Sequence, residues 1–468
     1  MRERGFSPDF PPQVLVETSA ARDASREGDR SIQDLRNLLW ASIDNDSSRD
    51  LDQLTVAQAM PDGSVKVFVA IADVDAVVRK GSSTDDHARV NTTSVYTAAA
   101  VFPMLPEKLS TDLTSLREDQ DRLAVVVELV VTAGGTVSHS NVYRALVRNH
   151  AKLAYDSVAA WLGGQAATPS AIDGVAGLAE QLRLQDQLAQ LMDQYRHTHG
   201  ALTLETREAR PVFEGESLID LQMDTGNPAK QLIENFMVAA NTAVAEYLAN
   251  KGFPSLRRAL RSPDRWDAIV SLAARLGETL PAAPDAPALE RFLTACRARD
   301  PAKFADVSLT VVKLLGRGEY VVESPEQDEG HFALAVNDYS HSPRRIGATP
   351  IWLRSACSRL PSITRRYHMR TTNLARHCTE QGANAIKVER QVRKSAAALL
   401  LAPRVGDAFD AIVTGASEKG VWVQISHPFI EGKLFNGAPA IEIGAHVRVK
   451  LVRTDAEHGF IDFERIAA

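Results

Sequence analysis

The chain has 468 residues, of which 44% are hydrophobic and 24% are charged, and its formal net charge at pH 7 is −6. This composition is that of a globular protein with enough length for about three domains, and it excludes a disordered or collagen-like chain. The acidic balance gives no sign of nucleic-acid binding. It does not exclude that function either, because a basic channel can lie inside a protein whose outer surface is acidic.

Targeting signals and cysteines limit the cellular setting. The sequence has no apolar run as long as a membrane span, and it does not begin with the charged and then apolar pattern of a signal peptide. The three cysteines, Cys296, Cys357 and Cys378, lack zinc-site spacing and form no evident disulfide framework. We therefore expect a soluble, monomeric protein of the cytoplasm that does not bind membranes.

The predicted elements begin after an N-terminal arm of unknown role, residues 1–38, which carries no motif. Residues 65–74 form an apolar run that predicts a buried strand. Residues 123–132 predict a second strand, which ends at Gly134-Gly135 and is followed by a further strand-like stretch to Arg148. The first half of the chain is therefore expected to be rich in β-structure.

Helices are predicted in the second half of the chain. Apolar residues recur at helical spacing over residues 174–197, 229–250 and 383–401. Pro403 marks a boundary, after which short apolar runs alternate with glycine turns to the end of the sequence. The chain is thus expected to contain a large domain, residues 39–400, and a small all-β domain, residues 403–468.

The strongest chemical feature is a group of four aspartates within nine positions, Asp44, Asp46, Asp50 and Asp52. Closely spaced carboxylates can hold Mg²⁺, which neutralises charge on a phosphodiester and activates water for its hydrolysis. Taken alone, the group fits a solvated acidic loop better, because Asp and Ser are common loop residues. A calcium-binding loop is disfavoured, because the glycine and the final glutamate of that motif are missing.

The residues around this group change that assessment. They resemble the catalytic RNB domain of ribonuclease II and ribonuclease R, over roughly residues 39–400. The matching blocks follow one another in the family's order, and they are Ile43-Asp44, Arg49-Asp50-Leu51-Asp52, Val69-Ala70-Ile71-Ala72-Asp73-Val74, Tyr96, Phe102-Pro103-Met104-Leu105-Pro106, Leu109-Ser110-Thr111-Asp112-Leu113-Thr114-Ser115-Leu116, Leu232-Ile233-Glu234-Asn235-Phe236-Met237 with Ala240-Asn241, and Gly330-His331-Phe332-Ala333-Leu334. Such a series is hard to obtain by chance, so the acidic-loop interpretation becomes the weaker one.

The resemblance implies both a fold and an activity. The fold is of the α+β class, with a mixed sheet surrounded by helices. In this family the 3′ end of RNA enters a narrow channel that leads to a buried carboxylate cluster. The implied activity is a hydrolytic 3′→5′ exoribonuclease that degrades single-stranded RNA to 5′-mononucleotides with metal-activated water. The implied cofactor is Mg²⁺, with Mn²⁺ as an alternative.

The resemblance also assigns roles to the aspartates. Asp44, Asp50 and Asp52 occupy the family's first three catalytic and metal-binding positions, and Asp52 corresponds to the most critical one. The family's fourth aspartate is Gln53 here, whose amide oxygen can ligate a metal but adds no negative charge. Asp46 is close enough in sequence to substitute for the missing carboxylate.

Three further positions are implied to contact RNA. Tyr96 matches a family tyrosine that packs against the terminal nucleotide, although a tyrosine of the core is the alternative. Leu204 stands where the family has an aromatic residue, and losing base stacking costs roughly 1–3 kcal/mol per base. Glu389 matches a family glutamate near the bound strand, with a helix-surface charge as the alternative.

The family pattern breaks down after Val336-Asn337-Asp338-Tyr339-Ser340-His341, where this chain continues with Ser342-Pro343-Arg344-Arg345-Ile346. The family has a phosphate-binding arginine pair here, and only Arg344 remains as a candidate to bind RNA in this way. Residues 339–379 contain eight arginines and two cysteines but no Asp, Glu or Lys. This composition fits neither a helix surface nor a core.

A shifted reading frame accounts for the break. Codons for the family-like Pro-Asn-Arg-Arg-Tyr-Pro-Asp-Leu, read one base later, encode Arg-Ile-Gly-Ala-Thr-Pro-Ile-Trp, which is residues 345–352 of this chain. Our hypothesis is a local frameshift, in the gene or in its sequencing, over about residues 343–377. The alternative is a genuine arginine-rich loop that grips RNA. Resequencing the gene, together with the intact mass of the purified protein, distinguishes the two.

The C-terminal segment resembles the RNA-binding barrel named after ribosomal protein S-one, an OB fold of five strands. Its matching blocks are Val405-Gly406-Asp407-Ala408-Phe409-Asp410-Ala411-Ile412-Val413-Thr414, Gly420-Val421-Trp422-Val423-Gln424-Ile425, Glu431-Gly432-Lys433 and Gly444-Ala445-His446-Val447-Arg448-Val449-Lys450. Trp422 and Phe429 are candidates to stack on bases, or are core residues, and Lys433 and Lys450 are candidates to meet phosphates.

Two functions of different classes remain at this point. The first is the exoribonuclease. The second is a catalytically impaired RNA-binding protein that keeps the RNB fold, which Gln53, Leu204 and the altered arginine block favour. The intact Asp44, Asp50, Asp52 and Tyr96 favour the enzyme.

Overall fold

A seven-stranded mixed sheet forms the centre of the large domain. The computed structural model describes residues 1–23, 31–205, 208–214, 217–224, 226–253, 255–260, 263, 265–322, 331–335, 364–417, 420–435, 441 and 445–466. The first nine strands are β1 (Gln33–Asp34), β2 (Ala41–Asp44), β3 (Gln53–Ala59), β4 (Val65–Ala72), β5 (Val95–Tyr96), β6 (Val101–Phe102), β7 (Asp121–Val131), β8 (Val137–Arg148) and β9 (Ala151–Ala154). The sheet order is β1-β8-β7-β4-β3-β2-β9, while β5 and β6 form a separate hairpin.

Alternation of side chains along the strands gives the sheet two apolar faces. In β4, Val67 and Val69 join the larger core, whereas Phe68 and Ala70 join a second core on the opposite face. Strands that are buried on both faces are expected to form continuous apolar runs, which is the pattern that predicted β4 and β7. Both predicted strands are confirmed, with bounds that differ by at most two residues.

Helices cover the larger core and explain the helical periodicity of the sequence. The first six are α1 (Pro12–Ala20), α2 (Ser83–Asn91), α3 (Tyr155–Leu162), α4 (Ser170–Asp173), α5 (Leu178–Thr198) and α6 (Pro228–Asn250). Helix α6 begins with Pro228 in its first turn, and the side chain of Asn227 accepts a hydrogen bond from the Lys230 amide at 2.9 Å. The helix then packs Leu232, Phe236 and neighbouring residues against the sheet.

A second helical layer has its own core. It consists of α7 (Trp266–Arg275), α8 (Ala286–Arg299) and α9 (Pro301–Leu315). The chain also forms two small antiparallel pairs, β10 (Glu208–Glu214) with β11 (Ser217–Asp224), and β12 (Leu256–Ala259) with β13 (Glu319–Val322). The loop that contains Leu202 packs against this layer, as do Phe332 and Ala333.

A long helix joins the large domain to the barrel. Helix α10 (Thr364–Leu401) has 38 residues. It begins before residue 383, where the sequence predicted its first residue. The barrel consists of β14 (Ala408–Ser417), β15 (Gly420–Ile425), β16 (Ile430–Phe435), β17 (His446–Asp455) and β18 (Phe460–Arg465), closed in the order β14-β15-β16-β18-β17. The end of α10 belongs to the barrel core through Ala398 and Leu401.

The predicted fold class is confirmed, since a mixed sheet surrounded by helices is followed by a five-stranded barrel. The N-terminal arm is not separate from this fold: β1 pairs in parallel with β8, and Phe6 is buried. Among the described residues, the helices lack the combination of length and apolar character that crossing a bilayer requires.

Candidate active site and RNA-binding surface

The aspartate group lies in the loop between two neighbouring strands of the sheet. Strand β2 ends at Asp44 and β3 begins at Gln53, so both ends of the loop are fixed by the sheet. The Gln53 side-chain amide donates a hydrogen bond to the Ile43 carbonyl at 3.3 Å, which ties the two ends together. Asp52 is only 7% exposed, and its backbone carbonyl accepts from the Ala72 amide at 3.0 Å.

Asp44 and Asp46 differ in their surroundings. The Asp44 carboxylate is partly buried and accepts hydrogen bonds from the Asn45 amide at 2.7 Å and from the Ser48 hydroxyl at 3.0 Å. Asp46 is exposed, and its backbone carbonyl accepts from Lys152 Nζ at 2.9 Å. The site therefore combines Asp44 and Asp52 at the ends of strands, with Asp46 on the outer side of the loop.

Two distant parts of the chain are linked to Asp50, one directly and the other through Tyr96. The Tyr96 hydroxyl donates a hydrogen bond to Asp50 Oδ2 at 2.5 Å. The Tyr96 amide donates in turn to Glu389 Oε1 at 3.2 Å, across a separation of 293 residues. The structure thus brings Tyr96 and Glu389 to the aspartate loop, although sequence reasoning left a core tyrosine and a helix-surface charge as their alternatives.

Ser115 holds the loop from behind and was missed by sequence reasoning. It is fully buried, and its hydroxyl donates to the Arg49 carbonyl at 2.9 Å while accepting from the Leu51 amide at 3.0 Å. The Leu116 amide donates to the Leu51 carbonyl at 2.8 Å. These bonds fix the backbone on both sides of Asp50. Ser115 lies inside a block that resembles the family, but nothing local in the sequence indicates a contact 64 residues away.

The donor chemistry suits a hard divalent cation, since Asp44, Asp50 and Asp52 offer carboxylate oxygens. Within the part of the chain that the structure describes, no group of three or more His, Cys, Asp or Glu side chains has a metal-binding arrangement. The predicted magnesium site therefore stays a prediction. Gln53 uses its amide nitrogen on the Ile43 carbonyl, and this contact brings the start of β3 to the end of β2.

Leu204 belongs to a loop that is fixed by the helical layer. Its side chain is partly buried and packs against the core of α7 to α9. The loop is anchored on both sides of Leu204, because the Leu202 amide donates to the Ala333 carbonyl at 2.9 Å and the Glu205 amide donates to the Ser308 hydroxyl at 2.6 Å. The first of these bonds joins the Leu204 loop to Ala333, which lies in a sequence block that resembles the family.

A buried ionic network supports the same loop. His197 lies between two carboxylates, with Nε2 at 3.4 Å from Asp193 and Nδ1 at 3.3 Å from Glu290. Hydrogen bonds to these carboxylates raise the pKa of His197 to about 10, so the ring is charged at neutral pH. Burial tends to raise the pKa of Glu290, but hydrogen bonds from His197 and Thr203 lower it overall. Glu290 accepts from both the Thr203 amide and its hydroxyl, each at 2.6 Å.

On the barrel, the strand register places four side chains in one row. Two of them were predicted from the sequence and two were not. Trp422 of β15 pairs with Lys433 of β16, Lys433 pairs with Asp462 of β18, and Asp462 pairs with Arg453 of β17. Lys433 and Arg453 are exposed, and Trp422 is partly exposed. Sequence reasoning missed Arg453, because a register shift between Leu451 and Arg453 decides its position.

Lys450 and Phe429 lie elsewhere on the barrel. Trp422 pairs with Gly415 of β14, whereas Lys450 pairs with Ala408 at the beginning of the same strand. Seven positions at about 3.3 Å per residue separate the two by roughly 20 Å along β14. Phe429 is partly buried in the turn before β16, and its amide donates to the Leu221 carbonyl at 2.7 Å. The structure therefore does not bring Lys450 together with Trp422 and Lys433.

Arg344 lies outside the described residues, as do residues 336–363, which include most of the window of the frameshift hypothesis. Residues 364–377 at the end of that window are part of α10. The arginine clamp and the frameshift therefore stay hypotheses.

Comparison with family models assigns the large domain. The model of the RNB domain matches residues 32–345, which is more than half of the chain. The chain belongs to the RNB family. A second model, the RNase II-type exonuclease C-terminal S1 domain, matches residues 407–466, which are the barrel. The RNB match ends at residue 345, inside the window of the frameshift hypothesis.

Individual RNB proteins are similar over most of this chain. Ribonuclease R of Escherichia coli is 29% identical over 443 residues, covering 90% of this chain and 53% of that protein. Ribonuclease R 1 of Lactococcus lactis is 25% identical over 490 residues, covering 97% of this chain and 59% of that protein. The chain thus spans little more than half the length of these two relatives.

Solved structures share the fold at lower identity. RNase R of Mycoplasma genitalium in complex with ribose-methylated single-stranded RNA has a TM-score of 0.85 at 21% identity, covering 99% of this chain and 76% of that one. Yeast Ssd1, described as a pseudonuclease, has a TM-score of 0.60 at 16% identity, covering 86% of this chain and 50% of that one. The RNB fold therefore occurs both in an RNase R and in a protein without nuclease activity, so the site itself has to decide the function.

Proposed function

We propose that this RNB protein is a hydrolytic 3′→5′ exoribonuclease that degrades single-stranded RNA to 5′-mononucleotides. The observation that carries the proposal is the convergence at Asp50, where Tyr96 and Glu389 meet a loop that also contains the buried Asp52. A protein that only binds RNA does not need a buried carboxylate in a loop whose backbone is fixed on both sides of Asp50.

The residues of the site have separate tasks in this proposal. Asp44, Asp50 and Asp52 would hold Mg²⁺, or Mn²⁺ as the alternative, and the ion would supply positive charge at the scissile phosphate and a Lewis acid for activating water. Tyr96 bonds Asp50 through its hydroxyl, so its ring is fixed next to the carboxylates, where it would pack against the 3′-terminal nucleotide. Glu389 holds the Tyr96 backbone in this position.

RNA capture is assigned to other surfaces. On the barrel, Trp422 would stack on a base, while Lys433 and the newly found Arg453 would contact phosphates. Lys450 and Phe429 would contribute only if the RNA continues around the barrel, because they lie away from the Trp422 row. Leu204 would give the terminal nucleotides apolar contact without aromatic stacking, and Arg344 is retained as a phosphate-binding candidate.

A second candidate function is supported by one observation. Gln53 replaces a carboxylate, and its side-chain amide donates to the Ile43 carbonyl. A site with one fewer negative charge holds Mg²⁺ less tightly, which is what a catalytically impaired RNA-binding protein would show. The buried Asp52 and its fixed loop favour the enzyme.

The test compares two labelled forms of one unstructured RNA in Mg²⁺. With a 5′ label, we expect a ladder that shortens from the 3′ end. With a 3′ label, we expect the label to appear at once in a 5′-mononucleotide. EDTA should stop both reactions, and an Asp52→Asn preparation serves as the control for contaminating nuclease. RNA binding without cleavage by the wild-type protein would establish the second candidate instead.

A further inference from the structure

The N-terminal segment packs directly behind the two residues that meet at the aspartate loop. Phe6 is only 3% exposed, and it forms one apolar cluster with Val95, Ala385 and Val388. Val95 is the neighbour of Tyr96 in β5, and Val388 is the neighbour of Glu389 in α10. One buried ring thus belongs to the same apolar cluster as the residues adjacent to both partners of the Tyr96–Glu389 hydrogen bond.

Alternation along β5 explains how a residue outside the site can control Tyr96. Successive side chains of a strand point to opposite faces, so Val95 faces Phe6 while Tyr96 faces Asp50. Pairing of Val95 with Phe102 continues the cluster into β6, because Phe102 also packs against it. The short hairpin therefore has an apolar side that Phe6 covers and a polar side at the active site.

Hydrogen bonds hold the segment that carries Phe6. The Ser7 amide donates to Asn91 Oδ1 at 2.8 Å, and Asn91 Nδ2 donates back to the Ser7 carbonyl at 2.9 Å. On the other side, Gln381 Nε2 donates to the Gly5 carbonyl at 3.0 Å. Gln381 and Asn91 are both buried, so these bonds are shielded from water. The segment is thereby attached to the end of α2 and to α10 at once.

The connection continues through the remainder of the arm. The Glu17 carboxylate accepts hydrogen bonds from the Ser83 and Thr84 amides, each at 2.9 Å, at the beginning of α2. Phe10 packs on His87 of the same helix, with ring centroids 4.7 Å apart. Both ends of α2 are thus bound by residues of the arm between Ser7 and Glu17.

We propose that residues 1–10 form a brace in which Phe6 fixes the Tyr96 backbone against Glu389, so that Phe6 is a positioning residue for binding the 3′ end of RNA. The inference rests on the proposed function for the role of Tyr96. It gives residues 1–10 a task that their sequence does not show, since they lie before the RNB match and contact no aspartate of the site through the bonds described above.

The test uses Phe6→Ala, the milder Phe6→Val, and Val14→Ala as a matched control. Val14 is fully buried in α1 of the same arm but is not part of the Phe6 cluster. Two readouts are measured for each: hydrogen–deuterium exchange of the peptide that contains Tyr96, and the Kd of a short 5′-fluorescent single-stranded RNA in EDTA. Each substitution is then repeated in a Tyr96→Ala background.

We expect Phe6→Ala to speed exchange around Tyr96 and to weaken RNA binding about tenfold, with Phe6→Val between it and the wild type. In the Tyr96→Ala background, Phe6→Ala should weaken binding no further, because both changes remove the same contact. If Phe6→Ala does not fold, the same two readouts are compared for Phe6→Val. Val14→Ala should leave both readouts near those of the wild type.

Unchanged exchange around Tyr96 would overturn the brace. An unchanged Kd for Phe6→Ala would also overturn the brace. The same holds if Phe6→Ala raises the Kd by an equal factor with and without Tyr96, because Phe6 would then act only on general stability. Cleavage is not needed for these measurements. A wild-type protein that binds RNA and fails to cleave it would therefore overturn the proposed function, while the pattern of Kd values still decides the brace.

Discussion

The aspartate loop and the outer row of the barrel are both expected to meet RNA, but they are built differently. The loop is fixed by buried groups: Ser115 bonds the backbone on both sides of Asp50, and Asp52 is 7% exposed. The barrel row stands on exposed positions of paired strands, where Lys433 and Arg453 extend into solvent. The interior of the barrel holds the fold, and its outer side chains can change without disturbing it.

This difference separates chemistry from capture. A loop held by buried hydrogen bonds keeps catalytic groups in one geometry, which matters for the rate of the chemical step. Side chains on an exposed strand face contribute binding energy in several arrangements, which matters for affinity. Substitutions in the loop should therefore lower the cleavage rate, and substitutions in the barrel row should raise the Kd for RNA.

The largest effect is expected for Asp52→Asn. Removing this charge should cost several kcal/mol of transition-state stabilisation, and the single-turnover cleavage rate should fall about a thousandfold. Asp46→Asn is the matched control, because it makes the same chemical change on the exposed side of the loop. Comparable losses in the two variants would contradict a special role for Asp52.

Ser115→Ala should have the next largest effect. It leaves the buried Leu51 amide without its acceptor, which costs about 1–3 kcal/mol, and the loop around Asp50 loses its support. We expect the cleavage rate to fall about tenfold and the Mg²⁺ concentration for half-maximal rate to rise. Ser110→Ala is the control, since Ser110 is buried in the same segment but bonds only the Leu105 and Pro106 carbonyls, at 3.4 Å each.

Trp422→Ala should change affinity instead of rate. Loss of one base stack costs about 1–3 kcal/mol, so the Kd for single-stranded RNA should rise about tenfold at constant salt, while the single-turnover rate at saturation stays the same. Phe460→Ala removes another exposed aromatic ring of the barrel that lies outside the Trp422 row. Equal effects of the two substitutions would remove the argument for a specific row.

The smallest effect on RNA is expected at His197, which acts on the stability of the fold and its dependence on pH. The folded-state pKa of His197 is raised to about 10, above its ordinary value of 6.5, because Asp193 and Glu290 bond the charged ring. The stabilisation of the folded state by the charged His197 ring is fully present below pH 6.5 and is lost as pH rises through 10. The free energy of unfolding in urea should therefore fall over this range, and fall less in His197→Gln. His139→Gln, at an exposed histidine, should follow the wild type.

Local patterns were enough to predict much of the fold. Strands β4 and β7 and helix α6 were predicted because the spacing of apolar residues in a segment reflects which of its own side chains are buried. The start of α10 was missed, because residues 339–379 have a composition that hides the buried Ala375 and Cys378. A composition argument cannot replace the tertiary contacts of residues 364–379, the part of this segment that the structure describes and that belongs to α10.

The site was predicted less completely, for a physical reason. The aspartates, Tyr96 and Glu389 were found through motifs, but Ser115 was missed because it acts on residues 64 and 66 positions away. The hydrogen bond between Tyr96 and Glu389, across 293 positions, is likewise not visible in either motif. Lys433 and Lys450 were both predicted to meet phosphates, but the strand register places Lys433 beside Trp422 and Lys450 away from them. Contacts between distant segments depend on register and packing, which a single sequence does not encode locally.

The most direct test of this account measures the single-turnover cleavage rate and the Kd in parallel for Asp52→Asn and Trp422→Ala on one single-stranded RNA. The account predicts that Asp52→Asn loses the rate and keeps a Kd within about threefold of the wild type, and that Trp422→Ala does the reverse. If both variants change the same quantity, or if Asp52→Asn cleaves RNA at the wild-type rate, the separation of chemistry from capture is contradicted.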